Sequence, residues 1–141
     1  MTVLTIGQLA KRAGVGVETI RFYEREGLIA EPERRPSSRY RQYPPRVVGR
    51  VRFIRRAKEL GFTLKEIQEL LELRVCPSST RVDVRERVNA KVTDIEERMA
   101  SLRRMKDALE RLGRKCRGGG PATECPILEE LHRLDGRDGA I

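Results

Sequence analysis

Residues 5–28 read TIGQLAKRAGVGVETIRFYEREGL, two short helical patterns separated by a glycine-containing turn. In the first, Ile6, Leu9, Ala10 and Ala13 fall on one face at helical spacing. Gly14 is placed to end that helix, because glycine accepts the left-handed backbone of a helix C-terminus. The second pattern begins near Gly16 or Val17 and runs through Ile20, Phe22 and Tyr23 to Gly27. Two brief helices across such a turn form a helix-turn-helix. Any small helical hairpin gives the same pattern, so the outer face of the second helix carries the weight. There Glu18, Thr19, Arg21, Tyr23 and Arg25 leave a polar, cationic surface over an apolar one. Arginine reads guanine edges with two hydrogen bonds or clamps a phosphate, and tyrosine donates to phosphate.

The surrounding chain agrees with a polyanionic partner. Thirty Lys and Arg against 21 Asp and Glu give a net charge of +9. Residues 1–75 hold 16 basic and 9 acidic side chains, whereas residues 76–141 hold 14 and 12. Nucleic acid is the usual partner of a basic half of this kind, although a solubilising surface has the same composition. The segment EPERRPSSRYRQYPP (31–45) is too rich in Pro, Ser and Arg for a core element. It reads as a loop or β-wing carrying Arg34, Arg35, Arg39, Tyr40, Arg41 and Tyr43 toward a phosphate backbone. A third helix follows Pro44-Pro45, with Val47, Val48, Val51, Phe53, Ile54, Ala57 and Leu60 as its inner set and Gly61 closing it. A fourth opens at Thr63, where Thr63 and Glu66 have the spacing of a capping box, and continues a buried stripe through Ile67, Leu70, Leu71 and Leu73.

The stretches TIGQLAKRAGVGVETIRFYEREGL, YRQY (40–43) and FIRRAKELGFTLKEIQELLEL (53–73) resemble the winged-helix DNA-binding domain of the MerR family of bacterial transcription regulators. The resemblance covers the first 75 residues without a gap. It implies that Thr19, Arg21 and Tyr23 on the recognition helix, Tyr40 and Arg41 in the wing, and Arg55 and Lys58 beyond it contact operator DNA. Arg39 departs from the family pattern, which has glycine before the Tyr-Arg pair.

From Val82 to Leu112 no proline or glycine interrupts the chain. Val88, Val92, Ile95, Met99, Leu102, Met105, Leu109 and Leu112 recur in steps of three and four, a coiled-coil seam on a helix expected over Val82–Arg114. No second helix of matching length is available to cover it within one chain. A homodimer is the simplest source of a partner, and a dimeric helix-turn-helix protein reads the two halves of a near-palindrome. The resemblance adds that family members dimerise through a long antiparallel helix pair.

Beyond this helix, KCRGGGPATECPILEEL (115–131) sets Cys116 and Cys125 at the two ends of a glycine-rich loop. Pro126 opens a short helix, so Cys125 sits at a helix N-terminus, where the macrodipole favours thiolate. Lys115 and Arg117 flank Cys116 with positive charge. Two soft thiolates without a nearby carboxylate or histidine suit thiophilic ions rather than Mg(II) or Ca(II). A redox pair or two inert thiols give the same sequence signal. The C-x8-C-P spacing resembles the effector loop of metal-sensing MerR regulators, which implies Hg(II) first, with Cu(I), Pb(II), Cd(II) or Zn(II) as other occupants. His132, the only histidine, reads as an exposed surface residue. Three-cysteine family members take a third ligand from the start of the partner's dimer helix. Arg81 stands at that position here, and Cys76 lies five residues earlier. Cys76 is favoured as a ligand in trans, against the reading of an unliganded thiol with Arg81 balancing a two-thiolate site.

The expected protein is thus mainly α. A winged helix-turn-helix spans residues 1–75, a linker and antiparallel dimerisation helix 76–115, and a metal-binding loop with short helix and tail 116–141. Its expected function is that of a metal-responsive transcription regulator. It would bind double-stranded operator DNA inside a promoter as a homodimer and activate RNA polymerase by distorting the DNA when metal binds. The alternatives are a Cu(I)-type two-cysteine sensor and a thiol redox regulator. No Ser-His-Asp set, phosphate loop or paired-carboxylate cleft points to an enzyme. With no apolar run long enough for a bilayer and no signal peptide before Met1-Thr2-Val3, the expected location is the cytoplasm, away from membranes.

Overall fold

The computed structural model describes residues 3–32 and 42–137, with side chains up to residue 133. Among them lie six α-helices: α1 (Ile6–Ala13), α2 (Val17–Arg25), α3 (Arg46–Glu59), α4 (Leu64–Val75), α5 (Arg81–Arg114) and α6 (Pro126–Arg137). A 3-10 turn at Ala122–Glu124 precedes α6. The chain divides into two compact units, Met1–Lys91 and Val92–Ile141.

In the first unit, short helices are defined by their ends. Thr5 caps α1 reciprocally: its hydroxyl accepts from the Gln8 N–H at 3.2 Å, and its own N–H donates to Gln8 Oε1 at 2.9 Å. Gly14 then ends the helix at φ 75°, with its N–H donating back to the carbonyls of Ala10 and Lys11. A side chain at Gly14 would be blocked twice, by the left-handed backbone and by Arg55 Nη1, which lies 2.5 Å from where a Cβ would stand. Thr63 and Glu66 form the expected capping box of α4, at 3.2 and 2.8 Å. Thr80 and Asp83 do the same for α5, at 3.4 and 2.7 Å.

The core gathers one stripe from each element: Leu9, Ala10 and Ala13 of α1, Ile20 and Tyr23 of α2, Val48, Val51, Ile54 and Ala57 of α3, and Ile67 and Leu71 of α4. Leu28 and Ile29 fill the turn after α2, and Arg50 Nε donates to the Leu28 carbonyl at 2.6 Å. Leu4 and Tyr43 close the unit as an antiparallel bridge, each N–H donating to the other's carbonyl at 2.8 Å. Each fully buried Leu or Ile contributes about 1.5–3 kcal/mol over its exposed state, so α1 to α4 have a core of their own. Leu60, expected in the inner set of α3, is instead 62% exposed, because the helix ends there and the chain turns through Gly61 at φ 93°.

The unit reaches beyond residue 75. Cys76 caps the end of α4, and the first turns of α5 lie against that helix. Arg87 Nη1 meets Glu69 Oε2 at 2.7 Å, and Lys91 Nζ meets Glu66 Oε1 at 2.8 Å. In the second unit Ile95, Met99, Leu102, Met105 and Leu109 of α5 are exposed. The end of α5 is tied to α6 by Lys115 Nζ and Glu130 Oε2 at 3.3 Å.

Candidate nucleic-acid interface and thiol site

The outer face of α2 is set by the phase of its buried stripe. Val17, Ile20 and Tyr23 follow one another at three-residue steps, and the latter two are buried. Tyr23 is therefore not on the outer face where the sequence reading put it. Its side chain is 6% exposed, and burial raises its hydroxyl above the ordinary tyrosine range, against the lowering effect of nearby Arg55. Phe22, one residue earlier and about 100° around the helix, faces outward with the Arg25 guanidinium 5.9 Å from its ring centroid. Arg21 is exposed and paired with Glu18 at 2.6 Å, while Thr19 is half-buried. The exposed set is thus Glu18, Arg21, Phe22 and Arg25. The i, i+3 spacing of Phe22 and Arg25 was the signal for their contact.

Arg55 and Lys58 lie on the last turns of α3, and both are exposed. Arg55 also has structural work. Its Nη1 donates to the Ala13 carbonyl at 3.5 Å, and its Nε pairs with Glu59 at 3.3 Å. Arg52 donates to the Arg12 carbonyl at 2.7 Å. These arginines meet the free carbonyls at the C-terminus of α1, where positive charge is favoured. Arg12, Arg52, Arg55 and Arg56 line an open cleft of about 370 Å³ beside the helix-turn-helix. Tyr40 and Arg41, with Arg34, Arg35 and Arg39, lie outside the described residues. Tyr43, expected on the wing, is buried in the core and its hydroxyl donates to Glu24.

The cysteine loop is held at both ends. Lys115, next to Cys116, pairs with Glu130, five residues after Cys125, and Arg133 meets the same carboxylate at 3.2 Å. Between them Gly118, Gly119 and Gly120 have φ of 80, 86 and 89°, a left-handed run that lets the chain reverse. Cys116 Sγ accepts from the Gly118 N–H at 3.5 Å. Cys125 ends the 3-10 turn, and its carbonyl accepts the Glu129 N–H in the first turn of α6. Both thiols are free and half-buried, and His132 is exposed. Cys76 is free and exposed, and hydrogen bonds from Ser78 and Ser79 bring its thiol down to about 7. Among the described residues no three His, Cys, Asp or Glu side chains gather within the chain as a metal cluster. Two sulfur donors are the chemistry of soft metal ions rather than of Mg(II) or Ca(II).

The family description "MerR HTH family regulatory protein" matches residues 4–73, and "MerR, DNA binding" matches residues 48–112. The mercuric resistance operon regulatory protein of Bacillus cereus is 42% identical over 126 residues, covering 89% of this chain and 95% of that protein. This chain belongs to the MerR family. Among solved structures, the MerR-family fold recurs in the transcription regulator PbrR691 of Ralstonia metallidurans, determined in complex with lead(II). It is 38% identical, with a TM-score of 0.82, covering 91% of this chain and 98% of the other. MerR of Bacillus megaterium in complex with mercury(II) is also 38% identical, with a TM-score of 0.69 and coverage of 92% and 99%. The family matches together cover the helix-turn-helix and nearly all of the long helix, residues 4–112. No helix among the described residues is long and apolar enough to cross a membrane.

Proposed function

We propose that this chain is a metal-responsive transcription regulator whose effector is a thiophilic metal ion, Hg(II) before Pb(II), Cu(I), Cd(II) or Zn(II). One observation carries the reading. Cys116 and Cys125 stand free at the two ends of a single tied loop, in a chain that aligns over nine-tenths of its length with metal-ion-bound MerR regulators. Cys116 and Cys125 would hold the ion, which supplies a crosslink between the end of α5 and the start of α6. The partner chain's Cys76 would add a third thiolate, since its lowered thiol and exposed position suit a ligand offered to another protomer.

The DNA-binding surface is the outer face of α2 with Arg21 at its centre, supported by Thr19, by Arg55 and Lys58 of α3, and by Tyr40 and Arg41 of the wing. Tyr23 supports that surface from beneath. Two copies joined along the α5 seam would read a near-palindromic operator in double-stranded DNA within a promoter. Metal binding would shift the two reading heads and deform the DNA into a form RNA polymerase uses. Deformation can carry that free energy without new base contacts.

The test is titration of the reduced protein with Hg(II) against a competing thiol, followed by transcription from a promoter carrying its operator. Cys116→Ser and Cys125→Ser should each abolish the metal response and leave metal-free DNA binding unchanged, because a hydroxyl is a poor ligand for soft ions. Full induction by either variant would refute the loop as effector site. Mixed dimers of Cys76→Ser and Cys116→Ser chains should retain one intact site. Wild-type Hg(II) affinity in the Cys76→Ser homodimer would leave a two-coordinate site instead.

A further inference from the structure

Between α3 and α4 runs an open groove of about 690 Å³ that lies wholly within the first unit. Arg46, Arg50, Arg52 and Arg56 of α3 and Arg74 of α4 line it, and no carboxylate does. Arg50 and Arg52 have internal duties, donating to the carbonyls of Leu28 and Arg12. Arg46, Arg56 and Arg74 are exposed and form no ion pair with another described residue. Among these cations the groove has an apolar floor of half-buried Phe53 and buried Leu71. Val75, 76% exposed, adds an apolar side chain at the C-terminus of α4.

Like charges crowded along one wall repel each other, and Arg46 carries a further cost. It is the first residue of α3, where the macrodipole is already positive. That first turn holds no acidic side chain, and Pro45 before it makes no side-chain cap. An anionic partner would offset both terms. The apolar side chains narrow its chemistry. A solvated phosphate backbone has no use for Phe53, Leu71 and Val75, whereas an amphipathic helix buries its own apolar face on such a floor. Direction agrees. From 3.6 residues per turn, Arg46, Arg50 and Phe53 lie roughly 140–180° around α3 from Arg55, away from the side read as facing the operator.

We propose that the α3–α4 groove is a docking surface for a partner protein that presents an acidic amphipathic helix. Its carboxylates would meet Arg46, Arg56 and Arg74, and its apolar residues at i, i+3, i+4 and i+7 would cover Phe53, Leu71 and Val75. Charge complementarity selects the partner and speeds its encounter, and the apolar floor retains it. Docking there leaves the outer face of α2 free, so a DNA-bound regulator can still receive the partner.

The test uses the full-length protein and a fluorescent synthetic helix of Glu and Leu, with leucines at i, i+3, i+4 and i+7, followed by anisotropy. Arg46→Gln combined with Arg74→Gln should weaken peptide binding at least about tenfold. Val75→Asp, which sets a carboxylate against those of the peptide, should do the same. Replacing the peptide's leucines with glutamine should also cost at least about tenfold. Lys58→Gln, on α3 but outside the groove, should bind the peptide as the wild type does. The groove variants should bind an operator, selected by the wild type from randomised duplexes, with unchanged affinity. Failure of the peptide to bind, or an equal loss in Lys58→Gln, would overturn the proposal, since any cationic surface would then serve as well. Lost operator affinity in the groove variants would assign the groove to DNA instead, and altered sedimentation would assign it to a second copy.

Discussion

The reading head, residues 3–91, and the helix that continues from it solve the burial problem in opposite ways. In the head, four helices of 8 to 14 residues share one core, and their apolar stripes all turn inward. Beyond residue 91 the apolar stripe of α5 faces outward, with Ile95, Met99, Leu102, Met105 and Leu109 all exposed. Both stripes have helical periodicity, so periodicity alone does not say whether a chain can bury them. The difference is the number of neighbours: short helices joined by turns supply their own, and a 34-residue helix has none of equal length among the described residues of its own chain. The head is thus expected to be stable by itself, and the seam to be stable only when a second copy covers it.

The sharpest way to break that contrast is on the seam. Replacing Met99 and Leu102 with Asp would bury carboxylates in the dimer interface, and should weaken dimerisation at least 1,000-fold, about 4 kcal/mol. Sedimentation should then show a monomer whose head still melts cooperatively. If the head unfolds with the dimer, the two regions are not independent. The converse is Ile54→Ala, which removes a fully buried side chain of the head and should cost about 2–5 kcal/mol in urea unfolding. The same change at exposed Leu109 should leave the stability of the monomeric Asp variant unaltered.

Arg21→Ala tests the face of the head that carries no core. A loss of about 1–3 kcal/mol confined to the selected operator would mark a base contact, and an equal loss on all duplexes with a shallower salt dependence would mark a phosphate contact. Affinity unchanged on every DNA would remove Arg21 from the interface.

The smallest effect is expected at the ion pair of Glu66 and Lys91 within the head. The Lys91 ammonium and the Thr63 N–H bring the Glu66 carboxyl from 4.5 down to about 2. A carboxylate lowered on folding stabilises the folded state fully above its unfolded value, and loses that contribution as pH falls from about 4.5 towards 2. Acid should therefore narrow the stability difference between wild type and Lys91→Met, with most of the change below pH 5. A difference that stays constant from pH 7 to pH 3 would show that the pair is not formed in solution.

Much of this was legible from local chemistry. Gly14, Thr63 with Glu66, and Cys125 before Pro126 are positions where one or two residues decide a helix end, and the backbone follows them. The seam was legible because its repeat runs through many turns without a breaker.

What required the tertiary structure was every choice between chemically similar neighbours. Phe22 and Tyr23 are adjacent aromatics, and which one turns inward depends on the phase that Val17 and Ile20 set against α1 and α3. Tyr43 looked like a phosphate donor until Leu4 and Glu24 drew it into the core. Lys91 sits in a helix full of exposed charges, and no pattern around it distinguishes the one that is buried. By itself the sequence determined where the helices begin and end and which stripes are apolar, because those follow from interactions within a few residues. The long-range partners of Tyr23, Tyr43, Arg55 and Lys91 lie 19 to 42 residues away, and only the packed fold brings such groups within reach.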